Sequence, residues 1–201
     1  MNFLYGIFEK ILVTFYGMTG SYGIAIILLT IFIKIVLLPL TLKQDKSMKE
    51  MKKLQPKIEE IKKMYSGDPQ TMNQKTMELY KEHKVNPAGG CLPILIQLPI
   101  LWALFGVLRK EGVIPDESFL WFTLAAPDKF YILPVLNGVV SFVQQKIMGT
   151  SDNPQMKNMM YMFPIMMVFI SYKLPGGLQL YWLVSSLTAV IQQYFIMKRG
   201  E

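Results

Sequence analysis

Lys34 is the residue whose type and position point most directly to a chemical role. It lies inside an otherwise uncharged apolar run, residues 22–42, where a lysine costs roughly 2.5 to 3.5 kcal/mol by membrane-insertion scales. Its side chain leans toward the N-terminus of the helix, so the ammonium group reaches the nearer end of the run only awkwardly. No acidic residue lies in this or any other apolar run. We therefore expect water in a protein-walled cavity to hydrate the ammonium group.

Side chains that can form hydrogen bonds recur at helical spacing along the other apolar runs. In the third run they are spaced i, i+4, i+7 and in the fifth i, i+4, i+7, i+11, so each set lies on one side of its helix. We expect them to wall a hydrophilic groove together with Lys34, although single hydroxyl groups often serve only as hydrogen bonds between helices. The predicted groove residues are Thr30, Lys34, Gln97, Asn137, Ser141, Gln144, Tyr181, Ser185, Thr188 and Gln192.

Catalytic and metal-binding patterns are missing from the sequence. One cysteine, Cys91, and one histidine, His83, provide neither an internal disulfide nor a metal-ligand cluster. The serine-protease, zinc-protease and phosphate-loop motifs do not occur. We expect no enzyme activity, no cofactor and no metal. One alternative to a binding groove is a Ser-Lys protease that uses Lys34 with Ser141 or Ser185. The stronger alternative is a small polytopic transporter or channel.

The composition predicts a membrane protein. The chain has 201 residues, of which 52% are hydrophobic and 17% are charged, whereas an ordinary soluble domain is about 25% charged. Residues 43–84 contain 18 of the 35 charged side chains, so the rest of the chain is strongly apolar. This distribution excludes a soluble enzyme with one mixed surface and a disordered basic tail.

Five apolar runs approach the roughly 20 residues that a helix needs to cross a bilayer. They are residues 22–42, 88–108, 130–145, 159–172 and 178–197. Lysine and arginine concentrate in the loops after the first and third runs and at the C-terminus, which predicts an outside N-terminus and a cytoplasmic C-terminus. Residues 2–16 have apolar side chains at helical spacing, interrupted by Glu9 and Lys10, and predict an amphipathic helix on the outer surface with no removable leader.

The charged insert predicts a cytoplasmic helical hairpin. Met51, Leu54 and Ile58 begin an apolar seam with heptad spacing, and Asp68 followed by Pro69 is typical of the start of a second helix. Its lysines either reflect only the topology or form a docking arm for an anionic partner such as ribosomal RNA or lipid headgroups. The predicted organisation is a surface helix (1–20), a membrane core (21–43 and 86–201) and the hairpin (44–85).

Four ordered stretches carry a resemblance to a known family. They are residues 25–48 (AIILLTIFIKIVLLPLTLKQDKSM), 86–102 (NPAGGCLPILIQLPILW), 126–146 (APDKFYILPVLNGVVSFVQQK) and 162–182 (MFPIMMVFISYKLPGGLQLYW). The chain resembles the YidC/Oxa/Alb family of membrane protein insertases, particularly its small bacterial members. The resemblance implies an all-α polytopic fold, with five transmembrane helices around a hydrophilic groove that is open to the cytoplasm and lipid and closed outside.

The resemblance also implies a function and partners. In such insertases a basic residue of the first span attracts the hydrophilic segment of a nascent chain. That position is Lys34 here, where the family usually has arginine. The implied protein is an insertase and chaperone of the bacterial cell membrane that helps nascent membrane proteins insert and fold. Its implied partners are nascent membrane proteins and membrane lipids, with the ribosome and the Sec translocon as further candidates and without DNA.

Overall fold

The computed structural model describes residues 2–83, 85, 92–109, 117–147 and 154–198. These residues form a mostly helical protein. Its elements are α1 (Asn2–Thr19), α2 (Tyr22–Met64), α3 (Pro69–Glu82), α4 (Leu92–Arg109), β1 (Ser118–Phe119), β2 (Phe122–Thr123), α5 (Ile132–Ile147), α6 (Pro154–Ser171) and α7 (Gly176–Lys198).

Helix α2 is longer than the sequence analysis predicted. The first apolar run and the first helix of the charged insert were expected as separate helices, but they form one continuous helix of 43 residues. Between them lie lysine, glutamate, glutamine and methionine, which favour helix, and no glycine interrupts them. Pro39 and Pro56 both lie inside this helix.

The fold is not strictly all-α, which corrects the predicted class in a small respect. Strands β1 and β2 pair antiparallel and form a two-stranded β-ribbon, with Ser118 opposite Thr123 and Phe119 opposite Phe122. Aromatic and β-branched residues favour such pairing. The ribbon lies in the loop between α4 and α5, for which the sequence analysis assigned no regular structure.

Within the described residues each predicted apolar run corresponds to a helix, except that residues 130, 131 and 172 lie just outside α5 and α6; residues 88–91 of the second run lie outside the described residues. Among the described residues, one helical stretch, Tyr22–Met51, is long and apolar enough to cross a membrane, while Ile96–Leu108 and Met160–Ser171 are shorter apolar helices. The count of five spans therefore stays a prediction.

The chain divides into two compact units, Met1–Leu37 with Leu98–Glu201, and Leu38–Gln97. In the first unit, one face of α1 is buried at Phe8 and Leu12, so α1 packs its apolar side on the core of this unit. That core is built from the side chains of α1, α2, α4, α5, α7 and the loop that carries the β-ribbon. Its most deeply buried members include Leu12, Ile26, Leu29, Leu104, Val107, Leu124, Leu178 and Tyr181.

The second unit contains the helical pair of the charged insert. Leu54 and Ile58 are buried against Val85, and Met51 and Leu79 pack beside them, which agrees with the predicted apolar seam. Asp68 accepts hydrogen bonds from the amides of the first turn of α3, and Pro69 is the first residue of that helix. The predicted start of α3 is therefore confirmed.

Candidate functional site

Helix α2 begins against a carboxylate that is distant in sequence. Ser21 Oγ donates a hydrogen bond of 2.8 Å to Glu117 Oε1. The amide of Tyr22 donates to both oxygens of the same carboxylate, at 3.0 and 3.2 Å. A carboxylate at this position satisfies the free N–H groups of the first turn and interacts favourably with the helix dipole.

Helices α5 and α7 begin at the same stretch of chain. Asp128 Oδ2 accepts a 2.8 Å hydrogen bond from the amide of Leu133 at the start of α5. The amide of Gly176, the first residue of α7, donates to the carbonyl of Ala126 at 2.8 Å. We call residues 117–131 the junction segment, because the starts of α2, α5 and α7 all bind to it.

Polar residues of the three helices lie at the same numbers of residues from the helix starts. Lys34, Gln144 and Thr188 each lie twelve residues after the first residue of their helix, which is about 18 Å at 1.5 Å per residue. Ser141 and Ser185 each lie nine residues after it, or about 14 Å. Measured along their own helices, polar groups of α2, α5 and α7 thus lie equally far from the helix ends that bind the junction segment.

Helices α5 and α7 also pack directly against each other. Asn137 Nδ2 donates a 3.2 Å hydrogen bond to the backbone carbonyl of Gln179, and both side chains are 0% exposed. Ser141, Tyr181 and Ser185 are likewise buried. The structure therefore brings the third and fifth polar runs to neighbouring helices, as the predicted groove requires.

Two of the predicted groove hydroxyls bond to their own helices. Thr30 Oγ1 donates to the carbonyl of Ile26, and Thr188 Oγ1 donates to the carbonyl of Val184, each at 2.7 Å. This local bond is common for threonine inside helices. The bond uses the hydroxyl proton, so these two hydroxyl groups can only accept hydrogen bonds from a ligand.

Lys34 differs from these satisfied groups. Its side chain is half-buried, and in the part of the chain that the structure describes its ammonium group makes no ion pair and no hydrogen bond. Among the buried side-chain amide atoms that have no hydrogen-bond partner in the described residues are Asn137 Oδ1, Gln179 Oε1 and Gln192 Nε2. A buried polar atom without a partner costs free energy unless water or a ligand binds it.

The remaining predicted residue, Gln97, belongs to the other compact unit. Its membership in the groove therefore stays a prediction. Gln144 is half-buried, and the groove itself stays a prediction for all ten residues.

Three polar residues that organise this region were not predicted from the sequence. Gln179 donates from Nε2 to the carbonyl of Leu174 at 2.7 Å, and an isolated amide in an apolar helix was the available signal. Asp128 shortly before an apolar run is typical of a helix start. Glu117 had no such signal, because its partner Tyr22 is 95 residues away. No set of three or more metal-ligand side chains occurs within the described ranges.

By fold and site, the chain is a helical protein whose apolar helices carry polar side chains, among them the half-buried Lys34 of α2. A family model described as "60Kd inner membrane protein" matches residues 14–201. The chain therefore belongs to the 60Kd inner membrane protein family, and it is a helical membrane protein.

Relatives agree with this assignment. The chain is 69% identical to the membrane protein insertase YidC of Fusobacterium nucleatum, over 100% of both chains. It is 45% identical to the membrane protein insertase YidC of Geobacter sulfurreducens, covering 90% of this chain and 35% of that one. A solved structure described as "Active YidC insertase crystal structure with the first transmembrane domain resolved" superposes with a TM-score of 0.79 at 32% identity, covering 96% of this chain and 46% of that one. The chain thus spans under half the length of the latter two proteins.

Proposed function

We propose that this protein is a membrane protein insertase that accepts short hydrophilic segments of nascent membrane proteins. The observation that carries the proposal is the ammonium group of Lys34, which has no ion pair or hydrogen bond among the described residues and lies as many residues from the start of its helix as Gln144 and Thr188 do. An ammonium group that forms no ion pair with a carboxylate can attract an acidic segment of a nascent chain. Its relatives named membrane protein insertase YidC support the same function.

The proposed mechanism lowers a barrier without covalent chemistry. Moving a polar segment into the bilayer is costly, because its charges and amides must leave water. A hydrated groove that reaches Lys34 shortens that transfer, and the ammonium group offsets part of the cost for acidic segments. Release is favourable, because the apolar helix of the substrate gains about 25 cal/mol per Å² on entering lipid.

The groove is proposed to be closed on the outer side and open to the cytoplasm. Support comes from the junction segment, whose Glu117 and Asp128 tie the starts of α2 and α5 to one place. In this topology five helices span the cell membrane, the N-terminus is outside and the C-terminus is cytoplasmic. The lysines of residues 43–84 then face the cytoplasm, where the ribosome, the Sec translocon and lipid headgroups are candidate partners.

The test is insertion of a substrate with an acidic tail into vesicles that contain the purified protein. We expect Lys34→Arg to retain activity and Lys34→Glu to lose about tenfold or more, because a carboxylate repels the tail at short range. The control Lys10→Glu makes the same charge change at an exposed lysine of α1 and should leave insertion unchanged. Equal insertion by wild type, Lys34→Arg and Lys34→Glu would contradict the electrostatic role.

A channel or small transporter is the second candidate, because polar groups at matched depths on three helices are also what a pore requires. We expect no ion flux in vesicles without substrate, since the junction segment joins the three helices at one end. Sustained flux that Lys34→Glu alters would favour the channel.

A further inference from the structure

The junction segment turns its acidic side chains inward. Glu117 binds the start of α2, and Asp128, which is 2% exposed, binds the amides of Phe130 and Leu133. The one basic residue of the segment, Lys129, is exposed. The outward surface is therefore cationic and apolar, although the segment contains more acidic than basic residues.

Apolar and aromatic residues hold the two left-handed backbone positions of this surface. Leu120 lies at the tip of the β-ribbon with a φ of 56°, and 73% of its side chain is exposed. Glycine or asparagine would adopt this left-handed conformation at lower cost. Tyr131 has a φ of 58° and is also exposed. Backbone conformation alone does not favour leucine or tyrosine at these positions.

The β-ribbon is held firmly, so its tip projects in a fixed direction. Its two phenylalanines pack inward: a Cβ at Gly23 would lie 2.1 Å from the ring of Phe119, and one at Gly176 would lie 2.6 Å from the ring of Phe122. Leu120 and the exposed Trp121 lie between these two rings in sequence. The tip therefore presents apolar surface outward.

The polar groups near the tip suit a boundary between water and hydrocarbon. Trp121 Nε1 donates to Asp128 Oδ2 at 3.4 Å, so the indole has a satisfied polar end and an exposed apolar ring. Tyr131 stacks on Tyr172, which follows α6, with ring centroids 5.8 Å apart, and this extends the aromatic surface to another helix. Tryptophan and tyrosine are enriched at membrane interfaces for this reason.

We infer that the outward surface of the junction segment, formed by Leu120, Trp121, Lys129, Phe130 and Tyr131, binds the interface of the lipid bilayer. Leu120 and the rings enter the boundary between headgroups and acyl chains, and Lys129 lies among the lipid phosphates. This surface anchors the starts of α2, α5 and α7 at a fixed depth. The inference depends on the proposed function in one respect: the topology proposed there places this surface at the outer leaflet.

The experiment uses the fluorescence of Trp121 in the full chain, with Trp102→Phe and Trp182→Phe replacing the other two tryptophans. The protein is reconstituted into vesicles of phosphatidylcholine and phosphatidylglycerol that carry a spin label near the headgroup or near the end of the acyl chain. We expect the shallow label to quench about twofold more than the deep one, and aqueous iodide to quench weakly, as for an interfacial side chain. Iodide quenching as strong as for free tryptophan, without lipid quenching, would overturn the inference and indicate a water-exposed or protein-docking surface.

Two substitutions in the same background sharpen the result. Leu120→Asn suits the left-handed backbone but removes the apolar tip, so it should reduce quenching by the shallow label and increase quenching by iodide. Ser118→Asn changes an exposed polar residue of β1 and should alter neither. Unchanged quenching in Leu120→Asn would show that the tip does not anchor the segment.

The leaflet and the proposed function are tested separately. An impermeant maleimide applied to intact cells should label Ser118→Cys in a Cys91→Ser background, and labelling only after lysis would reverse the leaflet. Lipid quenching of Trp121 needs no substrate, so it can succeed even if Lys34→Glu leaves insertion unchanged.

Discussion

Two regions of the same compact unit differ in whether their polar side chains have hydrogen-bond partners. In the junction segment the carboxylates of Glu117 and Asp128 each accept hydrogen bonds from helix amides. About one to two turns further along α5 and α7, Asn137 Oδ1 and Gln179 Oε1 are buried with no partner among the described residues. Lys34 on α2 has none there either.

The carboxylates of the junction segment stabilise the fold, whereas the polar groups without a partner reduce its stability. A buried carboxylate that accepts amide hydrogen bonds compensates the loss of water, whereas a buried amide oxygen without a donor leaves a penalty of about 1 to 3 kcal/mol. A groove for hydrophilic segments needs polar groups without a partner in the protein, because a group that already has its hydrogen bonds binds a substrate segment less well.

Removing the buried carboxylate of the junction segment should have the largest effect on stability. Asp128→Ala leaves the amides of Phe130 and Leu133 without their acceptor, so we expect the free energy of unfolding to fall by about 2 kcal/mol. Equilibrium unfolding in mixed micelles measures it. Asp128→Asn keeps an acceptor and should lose less. An Asp128→Ala protein as stable as wild type would remove the distinction between the two regions.

The junction should also be sensitive to added volume. A Cβ at Gly176 would lie 2.4 Å from the carbonyl oxygen of Thr123, so Gly176→Ala must displace the start of α7 and should cost about 1 to 3 kcal/mol. Gly6, in α1, has nothing within 4 Å of its added Cβ. Gly6→Ala should therefore be neutral or slightly stabilising in the same unfolding measurement. Equal effects of the two substitutions would contradict the close packing of α7 on the β-ribbon.

The unsatisfied region should respond differently, losing function rather than stability. Asn137→Leu removes a buried amide whose oxygen has no partner in the described structure, so the free energy of unfolding should stay within about 1 kcal/mol of wild type. Insertion of substrates with polar tails should decrease, because the groove loses a polar group. A stability loss as large as that of Asp128→Ala would assign Asn137 to the structural groups.

The smallest predicted effect concerns pH and lies in the other compact unit. The hydroxyl of Thr71 and the amides of the first turn of α3 bind the Asp68 carboxylate and lower its pKa. Its stabilising contribution is therefore present above the unfolded pKa of about 3.9 and is lost as the pH falls through the lower folded value. Hydrogen exchange at Gln70 and Thr71, corrected for its intrinsic pH dependence, should accelerate there. Asp68→Asn keeps an acceptor that does not titrate and should abolish this pH dependence.

The sequence predicted the local elements well and the long-range ones poorly. Asp68 and Pro69 predicted the start of α3, because a helix cap is formed by neighbouring residues. The β-ribbon was missed, because its strands have only two residues each. The continuity of α2 was missed, because the change from apolar to charged side chains was interpreted as the end of a helix, whereas the backbone of a helix is indifferent to that change.

By itself, the amino-acid sequence determined which segments are helical, that Lys34 has no acidic neighbour in its apolar run, and which side of α5 and α7 is polar. These properties follow from composition and from the period of a single helix. Three other features became visible only in the folded chain: α2, α5 and α7 begin at one segment, Glu117 binds an amide 95 residues away, and Leu120 is exposed while Asp128 is buried. Such contacts depend on how separate helices pack, and no local pattern encodes them.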